Sequence, residues 1–498
     1  MGIKGKLAKI WALADVISYK AISKNPVKSQ TKVLKYLIKN GRKTVFGFEH
    51  DFNNIDKYND FKKRVPIRDY ESLKPYIDKT VDGNTDVLWP GKPIYLSKTS
   101  GTTSGVKYIP ISKESMKTHI NSARSALLHY IHYSGNSNFI NGKVMFLQGS
   151  PTLKKVNNIK TGRLSGIVAH YVPKYLQKNR LPTWSVNCIE DWNKKVDAIV
   201  EQTINEDMRL IGGIPPWVKM YFEKLKKKSN KKIGEIFPNF SLFVYGGVNF
   251  EPYRKGLENL VGKKIDSIEL YPASEGFIAF QDSTREKGML LNLKAGIFYE
   301  FVEPKHINNP KKRMSLKDVR TGVNYAIILN TSAGLWGYKI GDTIEFTSLK
   351  PFRIIVTGRL KHFISAFGEH VIVKEVEYAM KKAIKATGEA VNEFTVAPNV
   401  NPSAGKSHHE WWISFQNKPK NITRFSKNLD KLVREQNIYY DDLVKGGVLS
   451  PLSVVPLKKD AFEIYMKRKG KLGGQNKTPR LMNNRSIVAE LKEFKIKL

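Results

Sequence analysis

Apolar positions recur at helical spacing through the first part of the chain. VKSQTKVLKYLIKNGRKTVFG sets Val33, Leu34, Leu37 and Ile38 on one side of a helix that stops at Gly41. RVPIRDYESLKPYIDKTVDG puts Pro66 ahead of a second helix starting near Arg68 and Asp69. Pro90-Gly91 marks a turn, and residues 95–112, YLSKTSGTTSGVKYIPIS, then read strand, loop, strand. Ser112 opens a long helical pattern. KVMFLQGSP reads as a buried strand and DWNKKVDAIVEQTINED as a helix. MRLIGGIPPWVKMYFEKLKKK and SLFVYGGVNFEPYRKGLENLVG each run buried strand, turn, helix, and SIELYPASEGFIAFQD runs strand, turn, strand. This alternation predicts α/β layers. GMLLNLKAGIFYEFVE and the segment from Asn324 to Arg359 alternate apolar with polar residues, as half-exposed antiparallel strands do. Beyond Arg359 the strands and helices form a unit of ordinary domain size. The expected division is a large α/β domain over residues 1–358 and a small α+β domain over residues 359–498.

Composition narrows the class. A chain of 498 residues with 41% hydrophobic residues can bury large cores. The single cysteine, Cys188, excludes an internal disulfide framework and fits a reducing compartment. No apolar run reaches the roughly 18 residues that a membrane span needs. The N-terminal stretch begins like a signal peptide, but Asp15 interrupts its apolar part and no small-residue cleavage site follows. Lys6 stands where a myristoylation signal after Gly2 wants Ser or Thr. It reads as an amphipathic helix of a cytoplasmic protein.

The net charge of +39 suits a nucleic-acid or anionic-membrane partner. Its spread argues against a dedicated tail, because the density is nearly equal on either side of Arg359. KLKKKSNKK, residues 224–232, reads as a solvated lysine-rich surface sooner than as a binding patch. Most of the excess is Lys, a weaker specific reader of phosphate than Arg. The expectation is a monomer with no specific nucleic-acid partner and no membrane span.

The candidate chemistry sits in the loop of residues 95–112. Residues 97–105 are almost all Ser, Thr or Gly, with Lys107 just beyond. Glycine lets backbone approach a ligand, and hydroxyls and N–H groups offer donors to phosphate oxygens. This is not the nucleotide loop that ends in Gly-Lys-Ser/Thr, since a strand follows and not a helix. A flexible polar hairpin has the same composition.

Further motifs resolve that ambiguity by resemblance. SKTSGTTSGVKYIP resembles the phosphate loop of adenylate-forming enzymes, the group of acyl-CoA synthetases, luciferases and peptide-synthetase adenylation domains. YPASEG (residues 271–276) resembles their second motif. YKIGD (residues 338–342), with TGRLKHFISAFGEHVIVKEVE, resembles their ribose-binding and hinge segments. RVPIRDYESLKPYI, YGGVNFEPYRK, YPASEGFIAFQD and KGKLGGQNKTPRL look like one branch, the auxin-responsive acyl acid amido synthetases (Gretchen Hagen three) and their bacterial relatives. The resemblance covers nearly the whole chain. It implies an adenylate-forming, firefly-luciferase-like α/β fold whose two domains join at a hinge.

The resemblance also implies roles. Thr99, Ser100, Gly101, Thr102, Thr103, Ser104, Gly105 and Lys107 would face the phosphates of ATP. Ser274 would sit near the α-phosphate, and Glu275 would hold Mg²⁺, a hard ion suited to oxygen ligands. Asp342 would accept the ribose hydroxyls, Tyr271 would border or stack on the adenine, and Arg359 would lie against the nucleotide. Arg359 and Lys361 would form the hinge, with Lys361 the pivot. Lys477, in GGQNKTPR, would be the mobile lysine of the adenylation step. The implied substrates are a small carboxylic acid and an amine or amino acid. The sequence departs from the acyl-CoA synthetases at Ser365-Ala366-Phe367, which weakens any transfer of their CoA tunnel. A thiol-accepting ligase and a basic, non-catalytic binding protein on the same fold remain the alternatives. His408-His409 beside Trp411-Trp412 has no further Cys or His at ligand spacing, so a loop entering an aromatic strand is expected there, not a metal site.

Overall fold

The computed structural model describes residues 3–102, 105–172, 177–248, 250–360, 363–469 and 478–496. Helices α1 (Ile3–Lys24), α2 (Pro26–Gly41) and α3 (Tyr70–Val81) fill the first part. Leu34, Leu37 and Ile38 bury one side of α2, as their spacing predicts. The Asp69 side chain caps α3 by accepting the Ser72 amide at 3.1 Å.

Strands β1 (Tyr95–Thr102) and β2 (Gly105–Ile111) make an antiparallel hairpin within a separate four-stranded sheet. Helix α4 (Lys113–Ser134) follows, capped by Ser112 and stopped at Gly135, whose φ of +71° glycine adopts without strain.

A twelve-stranded sheet is the frame of the molecule. One half is parallel and includes β3 (Lys143–Leu147), β4 (Met208–Gly213), β5 (Leu242–Gly246) and β6 (Asp266–Ala273). Helices α5 (Pro215–Ser229) and α6 (Glu251–Val261) are its crossovers, and Pro215 and Pro216 sit in the first turn of α5, where no amide is missed. Strand β7 (Gly276–Phe280) turns back antiparallel to β6. From there the sheet continues antiparallel through β8 (Tyr338–Leu349) and β9 (Phe352–Arg359).

Three details depart from the sequence pattern. The strands at residues 298–302 and 324–330 are antiparallel as expected, yet almost wholly buried. Helix α2 covers the first of these strands: the Gln30 side chain donates to the Ile297 carbonyl at 3.0 Å and accepts the Tyr299 amide at 2.9 Å. β3 buries only alternate residues, Met145 and Leu147, because it lies next to the sheet's edge. The histidine pair is no loop, since His408 and His409 begin the strand itself. The lysine run of α5 is a solvated surface that pairs partly with acids, such as Lys224 with Asp197 at 2.5 Å.

The smaller unit holds α7 (Val373–Thr387), then β10 (Val391–Asn399) and β11 (His408–Phe415), then α8 (Ile422–Gln436) and α9 (Ile438–Lys445), then β12 (Ser453–Leu457). β10 and β11 are antiparallel, and β12 joins β11 in parallel. Adjacent strand residues face opposite sides, so Trp411 and Trp412 enter different cores. The core around Trp411 is continuous with apolar residues of β4, β5 and α6, so the two units share one apolar interior. The fold is mixed α/β, with a large N-terminal and a small C-terminal domain.

Candidate active site

The site lies where β6 ends, beside the β1–β2 hairpin. Strand β6 carries Tyr271 near its C-terminal end, and the turn into β7 carries Ser274 and Glu275. The Ser274 Oγ lies 2.8 Å from Ser97 Oγ on β1, which ties the turn to the hairpin. Glu275 is only 8% exposed. The Tyr338 hydroxyl donates to Glu275 Oε1 at 3.3 Å. Burial pushes the Glu275 carboxyl up from its ordinary range, against the pull of Lys107. The Lys107 ammonium is pushed down by burial, with Glu275 opposing the shift. Lys107 also stands over the Tyr70 ring, 5.3 Å from its centroid. A carboxylate and an ammonium thus share a water-poor corner beside the hairpin.

Asp342 forms a second cluster. It is a register partner of Arg359 across β8 and β9, and the two side chains make an ion pair. The Tyr271 hydroxyl donates to Asp342 Oδ2. Burial, then the Asp342 charge, raises the Tyr271 phenol well above its usual range, so it stays a donor at neutral pH. The arrangement presents a fixed carboxylate with a positive edge, suited to vicinal hydroxyls of a ligand.

These contacts join residues far apart in sequence. Tyr271, Ser274, Glu275, Lys107, Asp342 and Arg359 come together. Thr99 is met from the smaller domain: the side chain of Tyr439 on α9 bonds to it, and the Tyr439 hydroxyl donates to the Lys98 carbonyl at 3.2 Å. Of Ser100, Gly101, Thr102 and Gly105, only the backbone is described, within the two strands. Thr103, Ser104, Lys361 and Lys477 lie outside the described residues.

The donor set fits magnesium carried by a nucleotide, since that ion takes one or two protein carboxylates and completes its shell with phosphates and water. Glu275 is the acid available for this, with one oxygen engaged by Tyr338.

Sequence reasoning missed several residues here. Tyr338 lies four positions before Asp342 on β8, so strand alternation could have placed both on one side. His119, buried in α4, bonds to the backbone of Ser274, and burial pushes its imidazole down to about 4. It lies seven residues past the Ser112 cap, on the helix face shared with Ser115 and Ser122. Ser97 opens the Ser/Thr/Gly stretch, but nothing local marks it as the partner of Ser274, and His370 carries no local signal. His370 comes from the smaller domain with a φ of +51°, and its Nδ1 lies 2.8 Å from Ser365 Oγ. Burial, together with the charges of Arg359 and Lys107, pushes it down to about 3.

Comparison with known proteins gives a consistent result. Models of the GH3 family N-terminal domain, central domain and C-terminal domain match residues 17–180, 290–359 and 374–486. A jasmonoyl–L-amino acid synthetase of Nicotiana attenuata, JAR4, is 21% identical over 93% of this chain and 92% of its own length. An indole-3-acetic acid-amido synthetase of Arabidopsis thaliana, GH3.10, is 21% identical over 97% of both chains. Among solved structures, the acyl acid amido synthetase AtGH3.15 in complex with 2,4-DB superposes with a TM-score of 0.63 at 17% identity, covering 98% of this chain and 96% of that one. A 2-hydroxyisobutyryl-CoA ligase bound to 2-HIB-AMP and CoA gives 0.60 at 12% identity, over 94% and 91%.

Proposed function

This chain belongs to the GH3 family and is a ligase that forms amide bonds, and we propose that it does so in two steps through an acyl-adenylate. In the first step a carboxylate oxygen of a small organic acid attacks the α-phosphorus of ATP. A new P–O bond forms, the bond to the bridging oxygen breaks, and pyrophosphate leaves with that electron pair. In the second step an amine, an amino acid in our reading, attacks the acyl carbon and AMP leaves.

The observation that carries this reading is the pair of clusters beside one hairpin, Tyr271–Asp342–Arg359 and Tyr338–Glu275–Lys107. Asp342 is oriented by Tyr271 and Arg359, so it meets the ribose hydroxyls without reorganising. Ser274, the hairpin hydroxyls and Lys107 supply donors and positive charge where the phosphates carry negative charge. Glu275 would hold the magnesium that accompanies ATP, which neutralises charge on the departing pyrophosphate. The hinge at Arg359 and Lys361 lets residues 359–498 turn between the steps, and closing over the site excludes water from a labile anhydride. Lys477 enters for the first step and leaves for the second.

The test is pyrophosphate release over a panel of carboxylic acids, with and without amino acids, with products identified by mass. The reading expects release with some acids and an amide in the presence of an amino acid. Release that requires CoA, giving a thioester, would replace it with the thiol-accepting alternative.

A further inference from the structure

Helix α1 has two apolar faces, and the protein covers one of them. Ala8, Ala12, Val16 and Tyr19 are buried, with Ala8 and Ala12 packed against Tyr130, Ile131 and Phe139. Tyr19 joins Ala126, Phe277 and Phe280. Asp15, the single acid of the helix, turns inward to Lys294 at 2.8 Å and His129 at 3.5 Å. The opposite face is open. Leu7 is 51% exposed, Ile10 63%, Trp11 59%, Leu13 49% and Ile17 56%.

At about 100° per residue these five side chains, with Ala14 and Ala21 between them, form one stripe along the helix. Lys9 and Lys20 flank one edge, Lys4 flanks the other, and Lys6 and Lys24 stand near the two ends. No acid shares this face. Scattered exposed apolar residues are ordinary, but a stripe down a 22-residue helix is not.

We propose that this face of α1 docks the protein on an anionic lipid bilayer, lying flat in the headgroup region. An apolar stripe with lysine edges and an aromatic at its rim matches both layers of such a surface: acyl chains take the stripe, and lipid phosphates and carboxylates take the lysines. A nucleic acid would satisfy the lysines and leave the stripe in water. A second copy docked face to face would bring like charges together along both edges. No described helix is long and apolar enough to cross a membrane, so contact is confined to the surface. The net charge of +39 draws the whole molecule to the same target.

The experiment is flotation of the full chain with vesicles of phosphatidylcholine alone, or with about 30% phosphatidylserine, at roughly 150 mM salt. The wild type should float with the anionic vesicles. Ile10→Ser/Ile17→Ser keeps every charge and should lose about tenfold or more in partitioning. Lys4→Ala/Lys9→Ala/Lys20→Ala should lose about fivefold per lysine. Lys226→Ala/Lys227→Ala, at the exposed C-terminal end of α5, should float as the wild type does. Unchanged thermal transitions would show that all three variants are folded. The proposal fails if the wild type does not float, if the isoleucine variant floats undiminished, or if the α5 variant loses as much as the α1 lysine variant. It also fails if the isoleucine variant instead abolishes self-association or duplex DNA binding in a wild type that ignores vesicles.

Discussion

Asp342 is buried, paired with Arg359 and bonded by Tyr271, and each contact fixes the orientation of one carboxylate. Removing it leaves Arg359 without this partner and, in the proposed role, the ribose without its acceptor. Asp342→Ala should therefore weaken ATP binding by about 1.5–3 kcal/mol for each charge-assisted hydrogen bond lost. Acid binding should change far less. Calorimetry on the folded variant checks this, and unchanged nucleotide affinity would reduce Asp342 to a structural partner of Arg359 and Tyr271. A second carboxyl, Glu269 on β6, behaves differently. Burial, then the charge of Glu251, pushes it up from 4.5 to about 7. A raised acid favours the folded state most below its unfolded pKa, and that contribution is lost as pH rises from about 4.5 through about 7. Glu269→Gln should accordingly gain stability over the wild type on going from pH 5 to pH 8, up to about 3 kcal/mol. Urea unfolding at the two pH values measures it; a difference that does not vary with pH would mean that Glu269 titrates normally.

At the scale of elements, short-range chemistry was legible and long-range pairing was not. The Ser/Thr/Gly hairpin, the Ser274-Glu275 turn and Asp342 stand out because each lies in a short contiguous motif that resembles those of adenylate-forming enzymes, although residue types alone leave a plain hairpin or turn open. The contact of Ser97 with Ser274, 177 positions away, is not legible, because it joins side chains of two separate sheets. Burial of the strand at 298–302 is not legible because α2 covers it through Gln30, a contact with no local pattern, and the strand at 324–330 is buried as its neighbour in the interior of the sheet. Helix α9 is the same case. Its Tyr439 reaches Lys98 and Thr99 on β1, Arg163 lies over the Tyr439 ring at 4.4 Å, and Arg163 pairs with Asp442. These contacts hold the smaller domain against the hairpin in this arrangement. If it is the one used for amide formation, Tyr439→Phe should slow aminolysis of supplied acyl-adenylate severalfold and spare pyrophosphate release. Stopped-flow assays of each half-reaction separate the two. Slowing of pyrophosphate release alone would assign this contact to the adenylation step.

For the whole molecule, the proposed mechanism has a lysine near the C-terminus act on a hairpin more than 370 residues before it. Lys477 lies outside the described residues, but the chain just after it is anchored. Thr395 on β10 donates to the Pro479 carbonyl at 2.7 Å, the Val396 amide donates to the Arg480 carbonyl at 2.9 Å, and Asn483 accepts the Ser365 amide at 3.0 Å. The segment after Lys477 therefore moves with the smaller domain and not on its own. A turn about Arg359 and Lys361 would carry Lys477 and Tyr439 together, so the approach of one to the hairpin would be linked to the departure of the other. An ammonium meeting the α-phosphate and the incoming carboxylate in a closed site stabilises the charge that shifts between them, and losing a comparable donor costs about 10²–10³ in rate. Lys477→Ala should thus cripple acyl-adenylate formation by about that factor and leave aminolysis of supplied acyl-adenylate near the wild-type rate. Both half-reactions are measured on one folded preparation. Equal losses in the two, or no loss in either, would remove Lys477 from the chemistry.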